Sequence, residues 1–243
     1  MTTDPTEAGL AERRMNKPDR LLNPPTGVVL RHVTLFFAVL LAVQSVWLLL
    51  AELTRPGIDR LPADAASAAV AAKQRGQATA AASFGVIRGD LWADSAFTYA
   101  DLLWGDSGSS AGLAPALERV RAKLEHALAD APHQSGAWLL LAGLAARYPS
   151  LNFNATLALK TSYYTGPSEQ DLMLPRLRIA SQSEFLNDSE IREFASRDLR
   201  LLLARHQRPA IDDIYISASP TGKAFIKQAV GQSAAPAPLT APH

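Results

Sequence analysis

The chain of 243 residues contains no cysteine. Disulfides, thiolate nucleophiles and thiolate metal sites are therefore excluded, and several catalytic classes go with them. The compartment stays open, because an oxidising compartment permits disulfides without requiring them. Net charge is scarce too: 24 Lys and Arg against 23 Asp and Glu leave +1 at neutral pH. Phosphate backbones are bound by clustered Lys and Arg, so nucleic acid is not expected as a partner. Strand-like patterning is nearly absent, and Ile211–Ser217 (IDDIYIS) is the only stretch with β-like content. Apolar residues, at 48% of the chain, are plentiful enough for a folded core and exclude disorder along its whole length.

The apolar residues are concentrated in one place. Val33–Ala51 reads VTLFFAVLLAVQSVWLLLA, with no charge, glycine or proline. At ~1.5 Å per residue this run covers roughly 28 Å, the thickness of a bilayer's hydrocarbon core, so a spanning helix over residues 28–53 is predicted. A cleaved signal peptide would have a shorter apolar stretch ending in a small-x-small site. Here the run ends in Ala51-Glu52-Leu53-Thr54-Arg55 and follows some thirty polar residues, so a retained anchor is expected. Arg13, Arg14, Lys17, Arg20 and Arg31 precede the span, whereas only Arg55 and Arg60 follow it closely. Basic flanks stay cytoplasmic. The N-terminus is therefore expected in the cytoplasm and the C-terminal part outside it, which in a Gram-negative inner membrane means the periplasm. Trp47 suits the outer interface, and Ala38, Ala42 and Ser45, with the amide of Gln44, form a stripe suited to helix pairing in the bilayer.

The remainder reads as all-α. Residues 1–27, with Pro24-Pro25, are expected to be a flexible tail; 54–87 a connector and an Ala-rich helix interrupted near Gly76; 209–231 a C-terminal extension and helix; and 232–243 a disordered tail. Between them, 88–208 has apolar residues at steps of three and four: Leu91, Trp92, Ala96 and Tyr99, then Leu113, Leu117, Val120, Leu124 and Leu128. Gly105–Gly112 is a loop by composition. Further helices are expected over 135–147 and 152–164, from Ser168 (a capping box with Asp171), from Asn187 (a weaker one with Glu190) and from Pro220.

These helices come in pairs, and Pro132 and Pro167 close successive pairs about 35 residues apart. The unit between them begins Trp138-Leu-Leu-Leu141-Ala142, turns near Pro149 and continues with Ala155, Leu159 and Ser162. It resembles the tetratricopeptide repeat, although Ala158 requires an inserted residue in the turn to keep register. The preceding pair offers Trp92, Ala96 and Tyr99, then Val120, Leu124, Ala127 and Pro132; the following pair lacks the Trp. The resemblance implies a superhelix whose inner groove binds polypeptide segments, with Phe97, Asp101, Leu139, Arg147, Arg178 and Gln182 facing that groove. A helical bundle is the alternative reading of the same pattern.

His32, His126, His133, His206 and His243 form no metal-binding pair, and Gly222-Lys223 lacks the rest of a phosphate loop. Asp212-Asp213 and the group Glu184, Asp188, Glu190 and Glu193 are carboxylate clusters, the second interleaved with Arg192 and Arg197. Charge pairs one turn apart, such as Glu193 and Arg197, suit an exposed helix face. Tyr163 and Tyr164, followed by Arg176 and Arg178, carry the vocabulary of a binding hot spot, though Tyr163 or Tyr164 could instead seal a helix pair. No cofactor, metal or small-molecule substrate is indicated. The expected function is a membrane-anchored adaptor binding a protein partner in the cell envelope. The alternatives are an accessory subunit docking through its spanning helix and, behind it, a cell-wall glycan enzyme.

Overall fold

The computed structural model describes residues 24–58, 60–105 and 110–234. Most of the predicted tails therefore lie outside the described residues, as does residues 106–109 of the predicted Gly105–Gly112 loop. All regular structure among the described residues is helical. The chain divides after Trp47 into two units.

The first unit is the bulk of α1 (Pro24–Leu53), a helix long and apolar enough to cross a membrane. Every residue from Val28 to Trp47 is exposed. Polar side chains on it bond back to their own helix: Thr34 Oγ1 donates to the Leu30 carbonyl at 2.9 Å and Ser45 Oγ to that of Leu41 at 2.8 Å. Hydroxyls satisfied in this way need no water, as hydrocarbon surroundings require. Pro24-Pro25 opens the helix instead of ending a tail, because proline at a first turn lacks only an N–H that would be unpaired anyway.

The second unit, from Leu48, begins with the last turns of α1. It continues through α2 (Ala65–Lys73), α3 (Arg75–Phe84), α4 (Gly89–Phe97), α5 (Asp101–Trp104) and α6 (Ser110–Asp130), then α7 (Ser135–Arg147) and α8 (Ala155–Thr165). The chain completes the unit with α9 (Gln170–Gln182), α10 (Ser189–Ala204), α11 (Arg208–Ser217) and α12 (Pro220–Ala234). The most extensive pairings are α7 with α8 and α4 with α6, followed equally by α10 with α9 and α3 with α4. The helix pairs legible in the sequence are therefore present. α7 sits at the centre, with Ser135–Ala137 and Leu139–Ala145 all buried. Its glycines allow the close approach: a Cβ at Gly143 would lie 2.8 Å from Leu103 Cδ2 and 3.0 Å from Ile179 Cδ1.

Several local expectations are corrected. Ile211–Ser217 is the body of α11, where Ile211 and Ile214 face the core at helical spacing; tertiary burial outweighs β propensity. The Ala-rich helix breaks at Gln74, two residues before Gly76. The loop expected to reach Gly112 gives way to α6 at Ser110. Ser168 does not cap α9, whose N-cap position is Glu169. Asp188, not Asn187, caps α10, accepting from the backbone of Glu190 and Ile191. The C-cap position of α8 is Gly166, where a Cβ would come 2.6 Å from Ser135 Oγ.

The end of α10 sets a stability test. Gln207 N donates to the Leu202 carbonyl and His206 N to that of Leu203, which is a Schellman closure with His206 at φ 59°. A β-carbon is strained in this left-handed region. His206→Gly is expected to stabilise the fold by about 0.5–1 kcal/mol and His206→Val to destabilise it, read by thermal or urea unfolding.

Candidate interaction site

The predicted groove residues do not share one surface. Phe97 and Leu139 are core, buried at 4% and 0% exposure, because α4 and α7 turn them towards each other's pairs. The expectation that they face a groove is overturned. Asp101 pairs with Arg75 of α3, whose Nε also donates to the Thr98 carbonyl at 3.0 Å. Arg147 and Gln182 do meet. With Leu103, Trp104, Gly143, Ile179 and Ser183 they line a cleft of about 240 Å³ between α5, α7 and α9.

Each polar wall of this cleft is held by its neighbours. Arg147 donates to the carbonyls of Leu103 and Gly105, at 2.5 and 2.9 Å, and so closes the end of α5. Trp104 Nε1 donates to the Pro62 carbonyl at 2.8 Å. The Arg178 guanidinium lies 5.4 Å from the Trp104 ring centroid and donates to the Ala63 carbonyl. Gln182, exposed, reaches Ser217 Oγ at 3.4 Å. An indole with a cation over it, beside an amide, presents flat apolar area and directional donors, which suits a polypeptide segment.

The adjacent tyrosines separate. Tyr163 is buried against Phe194, whereas Tyr164 is exposed. Tyr164 donates to Glu190, and Lys160 bridges Asp188 and Glu190 at 2.8 and 2.9 Å. Tyr163 thus seals the α8–α10 contact and only Tyr164 is available to a partner. Glu193 and Arg197 form no ion pair with each other; Arg197 instead donates to the Pro167 carbonyl. Asp212 pairs with Arg208 at 3.1 Å, and the acids of both clusters lie on the surface or half-exposed. On α1, Ala38, Ala42, Gln44 and Ser45 are all exposed.

Sequence reasoning missed a charged collar where α1 ends. Arg88 reaches Glu52 at 3.0 Å and Asp90 at 2.6 Å, and Arg55 reaches buried Asp94 at 2.8 Å. Burial alone would raise the Asp90 carboxyl, but the hydrogen bond and charge of Arg88, with the charge of Arg55, hold it below the usual carboxylate range. Missed as well were Lys123 and Asp198, charged residues inside apolar stripes, and Arg176, expected in a binding hot spot, is corrected to a third such core residue. Lys123, between Val120 and Ala127, donates to Ser95 Oγ at 2.7 Å and Thr79 Oγ1 at 3.0 Å, and burial lowers its pKa. Arg176 is fully buried, donating to Ser162 Oγ at 3.1 Å and the Gly166 carbonyl at 2.9 Å, so it serves the carbonyls left open at the end of α8. Asp198 continues the buried row Ile191, Ala195, Leu202 of α10. A charge interrupting a helical apolar stripe was the available signal for all three. Among the described residues, no group of three His, Asp or Glu side chains converges as metal ligands do.

Compared with protein-family models, with curated proteins and with solved structures, the chain matches none.

Asp198 offers a pH test. Its nearest cation, Arg197 Nη2, is 3.6 Å away, and neither carboxylate oxygen has a hydrogen-bond partner among the described residues. Burial pushes its pKa up to about 6. With the folded pKa above the unfolded one, the folded state binds the extra proton. The ionisation penalty is therefore absent below about pH 4, grows between about pH 4 and 6, and is complete above that. Asp198→Asn is expected to raise stability at pH 8 by up to about 3 kcal/mol and to lose that advantage near pH 4. Denaturant unfolding across pH measures this, and a pH-independent difference would contradict it.

Proposed function

We propose that this chain is a membrane-anchored helical adaptor: α1 is a retained single span with its N-terminus in the cytoplasm, and the second unit recruits a protein partner in the envelope, in a Gram-negative cell the periplasm. The observation that carries the reading is the sequence of parts. An apolar helix exposed from Val28 to Trp47 leads directly into paired helices that carry an indole- and arginine-lined cleft. The basic bias of the flanking residues supports the orientation. The stacked pairs α4/α6, α7/α8 and α9/α10 support a tetratricopeptide-like arrangement, with α5 as an extra turn inside the first pair. The cleft that holds Arg147 and Gln182 is then the partner site, and a partner segment would lay an apolar side chain on Trp104 and hydrogen-bond Gln182.

A second reading is an accessory subunit docked through its span. The exposure of Ala38, Ala42, Gln44 and Ser45 along α1 favours it, since small residues let two helices approach closely and an amide bonds across them.

Two measurements separate these readings. A phosphatase fused to the C-terminus is expected to be active, and activity confined to a cytoplasmic fluorescent reporter would reverse the topology. A photo-crosslinking residue at Gln182 is expected to capture a discrete partner in membranes, whereas one at Leu157, exposed on α8, should not. If a chain ending soon after the span retains the same partner, the docked-subunit reading replaces the adaptor.

A further inference from the structure

Within the apolar run Val33–Ala51, the hydroxyls of Thr34 and Ser45 donate to carbonyls of their own helix, those of Leu30 and Leu41. Gln44 does not. Its amide, with two donors and an oxygen bearing two lone pairs, is exposed and has no hydrogen-bond partner among the described residues. In water that is ordinary. In a hydrocarbon layer each unpaired donor or acceptor is costly, so an amide held there needs a partner. Gln44 stands two residues from Ala42, the middle of the run, and seven from the nearer end at Ala51. At ~1.5 Å per residue that end is about 10 Å away, beyond the reach of the side chain, so the amide stays inside the layer.

The face around the amide is apolar and open. Leu41, Leu40 and Phe37 precede Gln44 by three, four and seven residues and so share its side of the helix, and all three are exposed. A single polar residue in an apolar seam of this spacing is the arrangement that fixes register when two helices pair side by side. Ala38 and Ala42 fall about 120° and 160° away around the helix, at ~100° per residue, so their row is a separate face.

We propose that two copies of the chain pair in the bilayer through this face of α1, each Gln44 amide donating to the amide oxygen of the other. The occupant is a second copy because a copy meets two requirements at once. A carboxamide is its own complement, offering a donor and an acceptor to an identical group. Copies inserted by the same flanking charges run parallel, so a two-fold axis along the membrane normal sets Gln44 opposite Gln44 at the same depth. An unrelated helix needs a polar group at that one level. The proposal rests on the reading of α1 as a retained span, and it makes α1 an assembly element as well as an anchor.

The absence of cysteine makes the test direct. Phe37→Cys, Leu41→Cys and Val46→Cys are made singly in the full chain, expressed in membranes and oxidised with copper phenanthroline, which enters the bilayer. Val46, two residues beyond Gln44, lies on the far side of the helix. Disulfide-linked pairs are expected from positions 37 and 41 and not from 46. Adding Gln44→Leu to Leu41→Cys is expected to weaken pairing roughly five- to tenfold, and Gln44→Asn to keep most of it, since Asn retains the amide. Gln44→Leu leaves the span more apolar, so its effect is not a loss of insertion. Equal linking at 41 and 46 marks random collision and overturns the proposal, as does linking that Gln44→Leu leaves unchanged. If position 41 links only to another protein, the second copy is refuted. Extraction of the same membranes with alkaline carbonate separates the pairing from the span. If the chain stays in the pellet and 37 and 41 do not link, the pairing is refuted while the anchor stands; if the chain is released, both fall together.

Discussion

Among the described residues, α1 and α7 carry apolar side chains around their whole circumference, and an apolar surface must find a matching solvent. α7 finds it in protein. Its small residues, Gly136, Ala137, Ala142, Gly143 and Ala145, let neighbours close in from all directions, and larger leucines fill the spaces between them. α4, α5, α6, α8 and α9 all pack against it. α1 has no such small-residue surface on all sides, and among the described residues it is exposed from Val28 to Trp47. The environment that matches it is hydrocarbon.

Charge is then used sparingly, to fasten ends. Arg147 closes α5, Arg176 closes α8, and Arg55 with Arg88 fastens the connector and the α3–α4 turn to the end of α1. In each case a guanidinium supplies several donors to carbonyls or carboxylates that would otherwise be left unpaired at a helix terminus. Lys123 of α6 ties α3 and α4 together, where two hydroxyls receive its ammonium in place of an acid. Asp198 is the exception. It is buried with no hydrogen-bond partner for its carboxylate among the described residues, and burial raises its pKa.

The cleft inherits its character from this economy. Arg147 and Arg178 line or flank it because they are busy capping and stacking, so they present fixed planar groups and not mobile charges. Trp104 is oriented by Pro62, which belongs to the connector leaving α1. The cleft wall and the connector are thereby one mechanical piece.

The spacing of apolar residues by itself determined the all-α class, the spanning length of α1 and the pairing of helices, because helical period and hydrocarbon thickness are local quantities. Arg147 and Gln182, expected on one groove only through the tetratricopeptide resemblance, do line one cleft. The tertiary structure decided what spacing cannot. It placed Phe97 and Leu139 in the core, made Ile211–Ser217 a helix, and buried Tyr163 while leaving Tyr164 exposed. It also brought Glu52, Arg55, Arg88, Asp90 and Asp94 together from segments about forty residues apart. Which face of a helix is inside, and which distant charge answers a buried one, depends on the packing of whole helices, and that is a property of no single segment.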